Sequence, residues 1–429
     1  QKDAIEITMI EIGGKKCSLL EGTPQIQPGQ EKQLNCYGVI GTDEGNDYSS
    51  LINITYRDTV TDASYVQHDN DVRLIGEVLP GAELHTGQQI CYDTDADVDG
   101  DDDCDALEST MPLQDAHHDG TAKSFQDNAD GTITDLHTGL MWNKSDDTGL
   151  TWQEALELCD TSESAGYSDW RVPNAVEVMT MIDYSLSDYE HPAFTWSGED
   201  YWSSTSQSDD LNDAMYVDTG WGGVPSQTKS DDNSDDAVRC VRGTTSAINL
   251  QTGQTLCYDV DGNPRTCTGV GEDADADSSQ KQFVDLGDGT VVDEVSGLVW
   301  TKTDSSVTMD WSDALNYCAN IAVCANGSID GDQSTEGTCS GNSIRYDDWR
   351  LPTALEGIMI IDYRCTGGGD SGCFSDYQNA VFTWNNNYHW TGTTRPSLTH
   401  LAYLVYMDFG DVSLGSKVSD YSVRCVRDH

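Results

Sequence analysis

Apolar positions along this chain follow two rhythms, and the rhythm separates helix from strand. Between Trp152 and Cys159 the apolar residues fall at 152, 155, 156 and 159, one face of a helix. Trp311, Ala314, Leu315 and Cys318 repeat that spacing. Asn174 with Glu177, and Thr353 with Glu356, have capping-box spacing directly after a proline. Each pair predicts a second helix, running towards Asp183-Tyr184 or Asp362-Tyr363. Alternating segments flank Asp130-Gly131 and Asp288-Gly289, a strong hairpin signal. Residues 201–205 and 389–393 have strand character, and the two Val-Arg-Cys-Val-Arg runs at 238–242 and 423–427 alternate as strands do. Earlier in the chain, 33–40, 50–57 and 72–79 also read as strands, with Pro, Gly and Asp turns between them.

These signals come in duplicate and in the same order. Thr86-Gly87-Gln88 through Cys91-Tyr92-Asp93 recurs as Thr252-Gly253-Gln254 through Cys257-Tyr258-Asp259. Thr138-Gly139-Leu140-Met141-Trp142 becomes Ser296-Gly297-Leu298-Val299-Trp300, and Asp169-Trp170-Arg171-Val172-Pro173 becomes Asp348-Trp349-Arg350-Leu351-Pro352. The chain therefore divides into an extension at 1–14, a small all-β part at 15–85, a repeat at 86–243, a linker at 244–251 and a second repeat at 252–429. Each repeat reads as an α+β domain: a hairpin, two helices, then strands.

Cysteine positions fit this division. The chain has 14, in local pairs and with no C-x2-C spacing, which favours disulfides in an oxidising compartment over zinc thiolates. Alignment of the repeats pairs Cys159 with Cys240 and Cys318 with Cys425, each joining an early helix to the last strand. Cys91 with Cys104, and Cys257 with Cys267, lie at the entrances of the repeats. Two insertions in the second repeat each bring two cysteines, which pairs Cys324 with Cys339 and Cys365 with Cys373. Cys17 and Cys36 remain for the N-terminal part.

Charge narrows the function classes. There are 22 Lys+Arg against 75 Asp+Glu, a net charge of −53. Nucleic-acid binding draws its affinity from basic residues on phosphates, so that class is excluded. No apolar run is long enough to span a membrane or to form the N-terminal helix of a type IV pilin. Gln1 begins no charged-then-apolar leader, so the numbering is expected to start after processing. No nucleophile elbow, HExxH, phosphate loop or Ser-His-Asp order occurs, and no enzymatic activity is expected.

The repeat motifs, GT(I/V)(T/V)D, TGLMW, DWR(V/L)P, YWSST and RCVR, resemble the Lcl C-terminal domain, a family named from a bacterial collagen-like surface protein. The resemblance implies a fold similar to C-type-lectin-like and formylglycine-generating-enzyme-like domains. It also implies a surface location and adhesion to glycans or extracellular matrix. The calcium-and-sugar motif of sugar-binding lectins is absent. The expected fold is thus an N-terminal all-β sandwich followed by two tandem C-type-lectin-like α+β domains.

Residues 4–12 stand apart. Ile5, Ile7 and Met9 share one strand face, and the apolar phase then shifts to Ile10 and Ile12, as at a bulge. This strand either opens its own sandwich or is donated to a neighbouring copy, a head-to-tail contact that would build an open homopolymer. The second alternative makes the chain a subunit of an extracellular filament. The first leaves an adhesin as the leading function, with a formylglycine-generating-type enzyme a weak third.

One stretch is a candidate metal site. Asp93, Asp95, Asp97, Asp99, Asp101, Asp103 and Asp105 crowd a loop that Cys91 and Cys104 would pin, and D-x-D-x-D-G at 95–100 resembles a calcium loop. Ala106 stands where an EF-hand has glutamate. Structural Ca2+ is the expected cofactor there, with Asp259 and Asp261 as weaker candidates in the second repeat. His117-His118 reads as a solvent-facing pair. Trp202, Trp221 and Trp390 read as core rather than as a sugar platform.

Overall fold

The computed structural model describes the strand backbones within 5–12, 15–19, 25–26, 34–36, 52–58 and 64–69. Beyond these it describes 85–94, 104–107, 110–208, 210–230, 236–243, 250–277, 280–293, 296–364, 381–383, 388–407 and 410–428. It divides into two compact units, Gln1–Glu83 and Leu84–His429.

In the first unit six strands form one sheet: β1 (Ile5–Ile12), β2 (Lys15–Leu19), β3 (Gln25–Ile26), β4 (Leu34–Cys36), β5 (Ile52–Asp58) and β6 (Ser64–Asp69). Their order is β4-β2-β1-β5-β6, with β3 against the start of β1. β1 is an inner strand, antiparallel to β2 on one side and to β5 on the other. Its register against β5 shifts between Ile7 and Met9, close to the point where the apolar phase of the sequence changes. Cys17 and Cys36 are directly opposed across β2 and β4. β2, β3 and β6 have no counterpart among the strands read from sequence. The expected strand 72–79, and with it any second layer of a sandwich, lies outside the described residues.

The second unit is mostly β-sheet with a few short helices, and it is rich in disulfides. Each repeat opens with an antiparallel hairpin whose turn holds the Asp-Gly pair: Phe125–Asp127 with Thr132–Asp135, and Phe283–Asp285 with Thr290–Asp293. Met141–Asn143 or Val299–Thr301 extends that sheet, which Val241–Arg242 or Val426–Arg427 closes. A second sheet follows, built on Tyr201–Ser206 and Asp213–Val217 in the first repeat and on Tyr388–Thr394 and Leu401–Tyr406 in the second.

Along the chain, the helices follow the hairpin sheet, and they pack on the second sheet. Trp152–Asp160 starts at a capping box made by Thr151 and Glu154. Trp311–Asn320 is capped by Asp310. Both place Trp, Ala, Leu and Cys on the buried face. The second helices, Ala175–Thr180 and Ala354–Met359, have the expected capping boxes but stop short of Asp183 and Asp362. The chain turns instead, with Asp183 N donating to the Tyr189 carbonyl at 3.1 Å.

The final Val-Arg-Cys-Val-Arg run is not one strand. Val238 belongs to one sheet and Val241 to the other. Arg239 turns inward between them, and Cys240 is bridged to Cys159 of the helix, so the run passes from sheet to sheet at the point where it is anchored.

The two cores correspond residue by residue. Trp152, Leu156, Cys159, Trp170, Trp202 and Cys240 pack together in one. Trp311, Leu315, Cys318, Trp349, Trp390 and Cys425 do so in the other. The second core also takes in Met111, which belongs to the first repeat.

Candidate functional site

The signature residues serve the fold. Arg171 grips Glu177 through two bonds of 2.6 Å, and Arg350 grips Glu356 at 2.6 and 2.7 Å. Each glutamate also caps its own helix, through Asn174 N or Thr353 N. Asp169 accepts from Arg242 and Asp348 from Arg427, which ties each DWR turn to the closing strand. Arg239 and Arg424 donate to loop carbonyls, including those of Thr195 and Thr383, both at 2.8 Å. Trp152 and Trp311 donate their indole N–H to the carbonyls of Ser203 and Thr391 at 2.8 Å. The motifs that carry the resemblance therefore have structural work in each repeat.

The most organised polar region is the seam between repeats. Each entrance segment crosses over and lies on the sheet of the other repeat. Gln88 of the first repeat donates to the Thr394 carbonyl at 2.7 Å and accepts from Thr394 N at 3.0 Å. Gln254 of the second makes the same pair of bonds with Ser206, both 3.1 Å. Asp115 accepts from Thr86 of its own repeat and Thr393 of the other, and Asp273 accepts from Thr252 and Thr205. Lys417 stands over Trp311 and donates to the Asp93 carbonyl at 2.6 Å, while Lys229 stands over Trp152 beside the Tyr258 and Asp259 carbonyls. Val224 and Val412 bridge the sheets directly. Tyr403 of the second repeat bonds the Tyr189 hydroxyl at 3.0 Å and the Trp221 carbonyl at 2.5 Å.

Burial sets the electrostatics of this seam. Asp273 is enclosed, and loss of solvation pushes its carboxyl up to about 7 despite the hydroxyl donors. Burial likewise brings Lys229 down to about 8. The same cause lowers the buried Lys281.

Outside the seam, the repeats diverge at three corresponding positions. Asp200, Asp218 and Asp236 of the first are replaced by Tyr388, Tyr406 and Tyr421 in the second. Burial and the two neighbouring aspartates raise Asp200 to about 6. Tyr388 and Tyr406 stack at 4.4 Å between ring centres, and Tyr421 meets Tyr388 edge-on. A cleft of about 450 Å3 opens beside the hairpin of the second repeat, lined by Asp285, Lys302, Thr303, Gly327 and Ile329 among others. Gly289 and Gly327 meet there so closely that a Cβ on Gly289 would stand 2.4 Å from the Gly327 carbonyl oxygen.

Of the calcium candidates, Asp95, Asp97, Asp99, Asp101 and Asp103 lie outside the described residues, as does the side chain of Asp105. Asp259 is used by its own turn: it accepts from Asp261 N and Asn263 N at 3.0 and 2.8 Å, and the bonds from Asn263 hold its carboxyl below the usual range. Among the described residues three groups bring ligand atoms within 4.8 Å of one another: Cys91, Cys104 and His117; Cys324, Asp330 and Cys339; and His118, Glu356 and Asp428. His117 and His118 are not a solvent-facing loop pair. They sit in the short helix Asp115–Asp119, where His117 faces Cys91 and Cys104 of its own repeat and His118 lies 3.8 Å from Asp428 of the second. Sequence reasoning passed over them because an isolated His-His pair carries no spacing signal.

Among the described residues, five disulfides join Cys91–Cys104, Cys159–Cys240, Cys257–Cys267, Cys318–Cys425 and Cys324–Cys339. No cysteine among the described residues is free. Cys365 and Cys373 lie outside them. Trp202 and Trp390 are fully buried, and Trp221 is partly so. No helix among the described residues is long and apolar enough to cross a membrane.

The Lcl C-terminal domain model matches residues 131–242 and 289–427, more than half of the chain. The chain belongs to this family and carries two copies of the domain in tandem. Membership points to a surface-associated protein, and the disulfides are compatible with an extracellular location. Comparison with curated proteins finds no match.

Proposed function

We propose that this chain is a structural subunit of a bacterial extracellular filament or surface appendage, joined head to tail when β1 of one copy completes the sheet of the next. The observation that carries this reading is the place of β1. It is the first strand of the chain, yet it fills an inner slot between β2 and β5. An inner strand can be supplied by a neighbour in the same register, and a contact of that kind propagates without closing. Without β1, the facing edges of β2 and β5 lose their pairing partners, a state prone to association. Structural Ca2+ within 93–105 belongs to the same proposal, and no catalysis is assigned.

Electron microscopy of the full chain beside a chain lacking residues 1–12 tests it. The reading expects fibres from the full chain and dispersed particles from the truncated one. Equal fibres from both would remove β1 as the linking element.

A second reading, adhesion to glycans, has one observation in its favour. The Tyr388–Tyr406 stack offers aromatic surface where the first repeat has aspartates. Loss of saturable glycan binding in Tyr406→Ala supports it, and a blank glycan array rejects it.

A further inference from the structure

We infer that the Cys91–Cys104 bridge, with His117, is a redox-gated site for a soft divalent cation of the zinc class. The three residues form one of the ligand groups described above, and their geometry carries the assignment. His117 Nε2 lies 2.6 Å from the Cys104 carbonyl oxygen. A carbonyl only accepts, so Nε2 bears the proton in the neutral ring. The lone pair of Nδ1 then faces Cys91 Sγ, 3.2 Å away. This is the orientation of a metal-ligating histidine, whose outer N–H is held by a backbone carbonyl. In the oxidised protein the lone pair faces a disulfide. Once the bridge opens, the same lone pair faces two thiolates, and imidazole with two thiolates makes three corners of a tetrahedral zinc site. Water takes the fourth.

Access and charge favour the site. Cys91 is buried, whereas Cys104 and His117 are half-exposed, so an external thiolate attacks Cys104 Sγ. The S–S bond breaks and Cys91 leaves as a thiolate. The second thiol of an external dithiol resolves the mixed disulfide, releasing Cys104 and forming a cyclic disulfide. Two electrons pass from the dithiol to the protein, and two protons go to solvent as the cation binds. The net charge of −53 concentrates divalent cations about the protein.

The second repeat provides an internal comparison. Asp275 stands where the first has His117, and it accepts from Val270 N and Gly271 N at 2.9 and 3.1 Å. Cys257–Cys267 gains no third ligand among the described residues.

The test uses the full chain, reduced by a phosphine that does not compete as a thiolate, with Co2+ as the probe. The expected result is one equivalent of Co2+ with thiolate charge-transfer and tetrahedral bands, appearing only after reduction. His117→Asp, which copies the second repeat, should weaken binding about tenfold or more. The double variant Cys257→Ser with Cys267→Ser should leave the bands intact. Mass mapping should show Zn2+ protecting Cys91 and Cys104 from alkylation. Absence of the bands, or bands unchanged in folded His117→Asp, overturns the site.

Discussion

Gln88 and Thr394, 306 residues apart in the chain, exchange two hydrogen bonds, and Gln254 and Ser206 repeat the exchange from the other side. This reciprocity makes the two repeats one interlocked body. Each entrance segment leaves its own repeat, covers the sheet of its partner, and is fastened there by glutamine, aspartate and lysine. Buried polar groups of this kind are costly when unpaired, so each repeat needs the other to satisfy them.

The buried carboxyl at this seam makes stability depend on pH. Asp273 is pushed up to about 7, against about 3.9 in an unfolded chain. Its folded form favours the proton. The stabilising contribution is therefore full below about pH 4 and is lost as pH rises towards 7. A shift of about three units corresponds to about 4 kcal/mol at most. Thermal unfolding from pH 4 to 8 should show the Asp273→Asn variant gaining on the parent as pH rises. Parallel curves would place the pH dependence elsewhere.

The buried ion pair of each DWR turn should be strongly destabilising to break. Glu356→Gln leaves the enclosed Arg350 with only the solvent-exposed Asp428 carboxylate, 3.2 Å away, and weakens the helix cap. Loss of one partner of such a pair costs about 3–5 kcal/mol. Chemical denaturation should show that loss, and Arg350→Met with Glu356→Leu should recover part of it. A loss below about 1 kcal/mol would mean that solvent reaches the pair.

The bridges should differ in how readily they are reduced. Cys159–Cys240 and Cys318–Cys425 are fully buried and close long loops, and removing one should cost about 2–5 kcal/mol. Cys91–Cys104 and Cys257–Cys267 each have a half-exposed sulfur and should open first. Timed alkylation under mild reduction reads the order. Early opening of either buried bridge would contradict the described packing.

Much of the repeat was legible because its signals are local. Capping boxes, Asp-Gly turns and the Trp-Ala-Leu-Cys helix face act within a few residues, and the duplication reads each of them twice. The break in Val-Arg-Cys-Val-Arg was not legible. Alternation fits a straight strand equally well, and only the inward Arg239 and the bridged Cys240 divide the run between two sheets. The exchanged entrances were not legible either. Gln88 and Gln254 look like surface residues in sequence, and their partners belong to the other repeat. The acidic run 93–105 is the reverse case: conspicuous in sequence, with most of its carboxylates outside the described residues.

The most direct test of the interlocked body is to cut the chain between its repeats. A protease site placed within 244–249 allows cleavage of the folded protein, followed by native mass spectrometry without reduction. The bridges described here all lie within single repeats, so only non-covalent contacts would hold the halves together. The fragments are expected to stay associated one to one, and Gln88→Ala with Gln254→Ala to loosen them. Fragments that separate freely and remain folded would contradict it, since each repeat would then be complete alone.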